Sequence, residues 1–281
     1  MPLKLIYALT FSLFLQISYA QITEHQIEEL VIKGAPSMDE AYAKIDSLLN
    51  ISSKDDPMYD GLIMLRLEYG RKLGKLQQMN ADIDYAIAQF EKEGEFFGEK
   101  APPTAIADML NYKAINLKTM GMFDSAEVVF KQAIAINLEH ELLYNNLANT
   151  LILNKKYQEA LDILALDKFS ETLENVSYLK ADAYYNLGEI DSATIYIQEY
   201  FSTQLVNKDF EAHLLYAEIL LMQNKNEEAC KILTKGTDIY NNQEAERIEK
   251  PGSCSDLNFW NNRIAKIAKD MEVIHRIACK K

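Results

Sequence analysis

Histidines, cysteines and paired carboxylates are the residues of this sequence that could do chemistry, and their spacing forms no catalytic pattern. The four histidines, His25, His140, His213 and His275, read as lying in four different helices or turns, with no second histidine or cysteine at metal-ligand spacing. There is no Cys-x-x-Cys pair, no glycine-rich phosphate loop and no Gly-x-Ser-x-Gly elbow. The carboxylate pairs Asp82 with Asp84 and Glu91 with Glu93 fall on different faces of a helix and read as solvated charge. The expectation is a protein without enzyme activity, bound metal or cofactor.

Three cysteines remain, Cys230, Cys254 and Cys279. Cys254 and Cys279 flank what reads as one helix, and a rise of ~1.5 Å per residue holds them ~37 Å apart. The Pro251-Gly252 turn can instead bring Cys254 back toward Cys230. If a bridge forms, Cys230 to Cys254 is the expected pair; free buried thiols are the alternative.

The elements that must position these residues follow from a repeat. Ala114 and Ala126, Ala148 and Ala160, Ala181 and Ala193, Ala217 and Ala229 are pairs of alanines 12 residues apart, stepping by 34, 33 and 36 residues. Large groups follow in register: Leu117, Leu151, Tyr184 and Leu220 three residues after the first alanine, Phe130, Leu164, Ile197 and Leu233 four after the second. A period in this range marks helical hairpins that bury their apolar faces only by stacking.

This pattern resembles the tetratricopeptide repeat. It is carried by Ala114, Leu117, Gly121, Phe123, Ala126, Phe130 and Ala133; by Asn146-Leu147-Ala148, Leu151, Tyr157 and Ala160; and by Ala181, Tyr184, Gly188, Ala193 and Ile197. The last unit departs, with Asn224 at the turn glycine and Gly236 at the final alanine. The resemblance implies an all-α fold, a right-handed superhelical solenoid of antiparallel helical hairpins.

Four segments are expected. Residues 1–20 have one charge, Lys4, then an apolar run ending in Ser18-Tyr19-Ala20, the layout of a cleaved signal peptide with Gln21 as the new terminus. An uncleaved anchor is the alternative, though the run is shorter than the ~20 residues that span a bilayer. Residues 21–104 read as degenerate helical repeats, with Ser37 capping a helix, Glu40 three residues on, and a surplus between Glu93 and Thr104 that holds Phe96-Phe97. Residues 105–240 hold four repeats. Within 241–281, Leu257, Trp260, Ile264, Ile267, Met271, Ile274 and Ala278 form one apolar seam, read as a capping helix or as a seam for a partner helix.

The resemblance also implies a binding groove lined by the first helix of each unit. By register it receives Asn111, Asn145, Asn149, Tyr178, Asp182, Tyr185 and Asn186. Amides offer a donor and an acceptor to a peptide backbone, and tyrosines give rigid amphipathic contact area. Asn111 and Asn175 stand where lysines would grip a chaperone's terminal carboxylate, so that activity is not expected. With a net charge of −13, the chain repels nucleic acid and anionic lipid. The expected function is an exported scaffold, periplasmic or extracellular in a bacterium, holding a protein or peptide partner, with no nucleic acid and no stable membrane insertion after cleavage. The alternative is a structural subunit of a cell-envelope assembly that docks through its edges and the carboxyl-terminal helix.

Overall fold

The computed structural model describes residues 37–54, 57–96, 99–100, 103–166, 175–203, 209–248 and 258–279. Residues 1–20, read from the sequence as a signal peptide, and Cys254 and Ser255 lie outside them. Twelve helices are described, and the chain divides into two compact parts, residues 1–109 and 110–281.

In the first part, α1 (Met38–Ile51) packs on α2 (Pro57–Leu73), and α2 on α3 (Leu76–Glu93). Ser37 caps α1 as its spacing predicts, its Oγ accepting from the Glu40 amide at 3.2 Å. Ala41, Ile45, Leu62, Leu65, Ile83 and Phe90 are buried along these helices. The surplus after Glu93 contains two-residue strands, β1 (Glu95–Phe96) and β2 (Glu99–Lys100), paired antiparallel. The side chains of the Phe96-Phe97 pair lie outside what is described.

Asp82 corrects the reading of solvated charge. It is 2% exposed and meets Arg66 through two hydrogen bonds, Nε to Oδ2 at 3.0 Å and Nη2 to Oδ1 at 2.6 Å. Arg66 Nη1 also donates to Asp46 at 2.6 Å, and Gln78 Nε2 to Asp82 at 3.1 Å. Spacing within α3 separates Asp82 from Asp84, as expected. Which face turns inward depends on α2, whose Arg66 neutralises the buried carboxylate.

Helix α4 (Pro103–Thr119) leads into the second part. There α5 (Phe123–Ile136), α6 (Glu141–Leu153), α7 (Tyr157–Leu164), α8 (Val176–Leu187), α9 (Ile190–Phe201), α10 (Phe210–Met222) and α11 (Asn226–Ile248) follow, with α12 (Asn258–Ala278) last. All eight register alanines are 0% exposed. Phe130, Leu164, Ile197 and Leu233 are fully buried beside them.

The turns keep the same register. Gly121, Lys155, Gly188 and Asn224 all have positive φ, 60–80°, and step by the same intervals as the alanines. After each, an amide reaches back to the first helix: Met122 to Leu117, Lys156 to Leu151, Glu189 to Tyr184 and Lys225 to Leu220, at 2.8–2.9 Å. This is the Schellman closure, which satisfies a carbonyl the helix end would otherwise leave open. Gly74 (φ 66°) makes the same turn in the first part, with Lys75 donating to Gly70.

Helix α12 packs on α10 and α11, burying Ile267, Met271 and Ala278 in one cluster with Ala217, Leu220, Ala229 and Leu233. The described part of the seam, Ile267, Met271 and Ala278 with the half-buried Ile274, covers the last hairpin. Trp260 lies in α12, but its side chain is outside the described set, as is Ile264.

Candidate functional site

First helices of successive hairpins touch: α6 packs on α8 and α8 on α10, with α12 joining against α10. This row carries the residues assigned to the groove. Asn146 Nδ2 donates to Asn111 Oδ1 at 3.0 Å and ties α6 to α4. Asn111 is consequently 6% exposed.

Asn145 corrects an expectation. Its register predicts solvent access, yet it is 5% exposed, and its Oδ1 has no hydrogen-bond partner among the described residues. It lies on α6, a helix packed by α5, α7 and α8, and that crowding closes the site. Asn149 is half-buried. Tyr178 is half-buried too, its ring 5.6 Å from that of Tyr200, whose hydroxyl donates to Asp209 at 2.7 Å. Part of Tyr178 thus serves packing.

The exposed Asn186 donates through Nδ2 to the Asp182 carboxylate one turn earlier, at 2.7 Å. Beside them, Tyr185 and Glu218 lie close enough to shift each other's protonation. Burial pushes the Tyr185 phenol up to about 12, and Glu218 and Asp182 add to it. Burial likewise pushes Glu218 up to about 7, helped by the charges of Asp270 and Asp182 and opposed by Tyr185 and Lys266. Further along the row, burial lowers Lys118 to about 8. The structure therefore gathers Asp182, Tyr185, Glu218 and Asp270 from α8, α10 and α12 into one negative patch.

No family model matches the sequence, and no curated protein matches it. Solved structures do. A tetratricopeptide repeat protein from Parabacteroides merdae is similar over 91% of this chain and 91% of its own, at 14% identity and a TM-score of 0.56. MamA from Desulfovibrio magneticus RS-1 is similar over 68% of this chain and 99% of its own, at 14% identity and 0.51. BtubC from P. vanneervenii covers 76% and 92%, at 13% and 0.54. The fold is that of the tetratricopeptide repeat.

Two groups in this repeat array escaped the sequence reading. The repeat register places Glu218 on the row of first helices, but Asp270 joins it only because α12 packs beside α10, which no single-repeat register announces. The other group lies at the far end of α12. Cys230 is bonded to Cys279, with Cα atoms 5.1 Å apart, so the expected Cys230–Cys254 pair is corrected. The sequence argument did not foresee that α12 runs antiparallel to α11. Met271 near Gly236 and Cys279 on Cys230 fix that direction. His275 lies one turn before Cys279, and its ring nitrogen and both sulfurs are within 4.8 Å of one another. The spacing of four between His275 and Cys279 is metal-ligand spacing on one helix face, and it was the missed signal.

Proposed function

We propose that this chain is a non-enzymatic scaffold that holds an unstructured, basic protein segment along the row of first helices in residues 110–281. The observation that carries this reading is the patch of Asp182, Tyr185, Glu218 and Asp270, polar and aromatic groups on the row that also carries the half-buried Asn149. A half-buried, partly protonated glutamate flanked by two carboxylates disfavours its own charge. A lysine or arginine side chain of a partner would relieve it. Tyr185 supplies rigid contact area beside that charge, and Asn149 supplies both groups an extended backbone needs.

Export belongs to the same proposal: removal of residues 1–20 would deliver the array to a periplasmic or extracellular space. No described helix is long and apolar enough to cross a membrane. Mass spectrometry of the native protein should find Gln21 as its first residue, and a chain that keeps Met1 would overturn export.

Binding is tested by fluorescence anisotropy of labelled, unstructured peptides against the full chain, lysine-rich against uncharged of equal length. The lysine-rich peptide should bind more tightly. Replacing Asn149 and Tyr185 by alanine together should weaken it about thirtyfold, the ~2 kcal/mol of a central aromatic contact. Equal affinity for both peptides, or indifference to the double substitution, would overturn the groove reading.

A further inference from the structure

We propose that Cys230, His275 and Cys279 are a metal site as well as a crosslink: once the disulfide is reduced, the two sulfurs and the imidazole hold a borderline-soft divalent cation of the zinc class. Three ligand atoms from two helices already lie within 4.8 Å of one another. A disulfide alone needs only the two cysteines, brought to a Cα separation of 5.1 Å. The imidazole beside them completes a Cys₂His set, which suits a tetrahedral Zn²⁺ site with one position left for water or a partner's oxygen. All three residues are half-buried, so an ion can reach them and much of the surroundings is dry.

The chemistry balances without further parts. A dithiol or phosphine reductant breaks the Cys230–Cys279 S–S bond, is itself oxidised, and leaves two protein thiols. Cation binding then displaces both thiol protons to solvent, because thiolate is the ligand. The same residues thereby fasten the end of α12 to the start of α11 in both redox states, by a covalent bond when oxidised and through the ion when reduced. The latch keeps Ile267 and Met271 over the last hairpin, whichever compartment the chain occupies.

The test uses the full chain, reduced with a phosphine, freed of reductant under inert gas and titrated with Co²⁺ as a coloured probe. One ion per chain should bind with a thiolate-to-cobalt charge-transfer band and tetrahedral visible bands, and Zn²⁺ should bleach them. Oxidised protein should show neither. Cys254→Ser should titrate as the parent does. Cys230→Ser and Cys279→Ser should lose the two-thiolate spectrum. His275→Ala should weaken binding by at least the about tenfold to hundredfold that loss of an outer-sphere partner costs. Circular dichroism monitors folding. Should a serine variant lose helix, His275→Ala decides alone, since it removes no crosslink. No charge-transfer band on reduction, a band that Cys254→Ser abolishes, or full affinity in His275→Ala would overturn the site.

Discussion

A Cβ placed on Gly236 of α11 would lie 2.5 Å from the Cβ of His213 on α10. A non-bonded Cβ contact so short is essentially never found, so the two helices touch backbone to side chain at this point. The glycine is the counterpart of a histidine that is itself 0% exposed. Gly236→Ala gains up to ~1 kcal/mol of helix propensity but forces the helices apart, at about 1–3 kcal/mol. The variant should melt at a lower temperature than the parent. Adding His213→Ala should not restore it, because alanine keeps the offending Cβ. An unchanged or raised melting temperature for Gly236→Ala would contradict the contact.

His213 also predicts an acid sensitivity. Its Nδ1 meets the Asp209 carbonyl at 2.7 Å, while Nε2 is buried with no partner among the described residues. Burial, aided by Lys235 and opposed by Asp209, lowers its affinity for a proton below the usual 6.5. The native state therefore prefers the neutral ring, and the unfolded chain takes the proton first as pH falls. Stability from this residue is complete above 6.5 and is lost below it, through the lowered native value. Thermal melts of the parent and His213→Gln between pH 7.5 and 5 should converge as the parent loses its advantage. Parallel curves would refute this.

The repeat was legible because a buried alanine leaves a mark that tertiary context cannot erase. Ala148 and Ala160 must be small wherever two helices nearly touch, so the period survives the loss of other consensus residues. Gly121 and Gly188 announced their turns for the same steric reason. Lys155 did not, since lysine has no preference for positive φ and takes it only because the flanking helices demand it. Burial of polar groups was least readable. Asp82, Asn111 and Asn145 are polar by type, and only the packing of neighbouring helices decides that water is excluded from them. Pairing over a distance failed likewise: nothing local to Cys230 says that the far end of α12 returns to it.

Arg66 and Asp82 should behave as a buried pair, at 10% and 2% side-chain exposure. Arg66→Ala leaves a carboxylate uncompensated in a dry site, at a cost of about 3–5 kcal/mol. Replacing both, as Arg66→Met with Asp82→Leu, should cost clearly less, because neither charge is then stranded. Chemical denaturation of the three proteins checks this, and a double variant no more stable than Arg66→Ala would argue against the pair.

Lys155 and Asn224 hold the turn positions that Gly121 and Gly188 hold elsewhere, at φ 62° and 60°. A left-handed conformation costs a lysine roughly 1–2 kcal/mol, and an asparagine less. Lys155→Gly should therefore raise the stability read from chemical denaturation, by up to about 1 kcal/mol after the added flexibility of the unfolded chain is counted. Asn224→Gly should gain less. If Lys155→Gly loses stability, the side chain must be earning its place through its stem.

Glu218 makes the patch testable by pH. Its native value is about 7 against an ordinary 4.5, through burial first and then the charges of Asp270 and Asp182. The folded protein therefore holds a proton there that the unfolded chain has released. Stability from this group is complete below 4.5 and is lost as pH rises through about 7. Glutamine imitates the protonated acid, so Glu218→Gln should be more stable than the parent at pH 8, by about 1–3 kcal/mol after allowance for its partial contact with water. The gain should vanish near pH 4.5. Binding should run the other way. A lysine-rich peptide is held best by the ionised glutamate, so its affinity for the parent should fall as pH drops from 8 to 6, while Glu218→Gln shows a weaker and flatter dependence. Stability that shifts as described, with peptide affinity equal in both proteins at pH 8, would place the carboxylate in the packing of α10 against α12 and outside the groove.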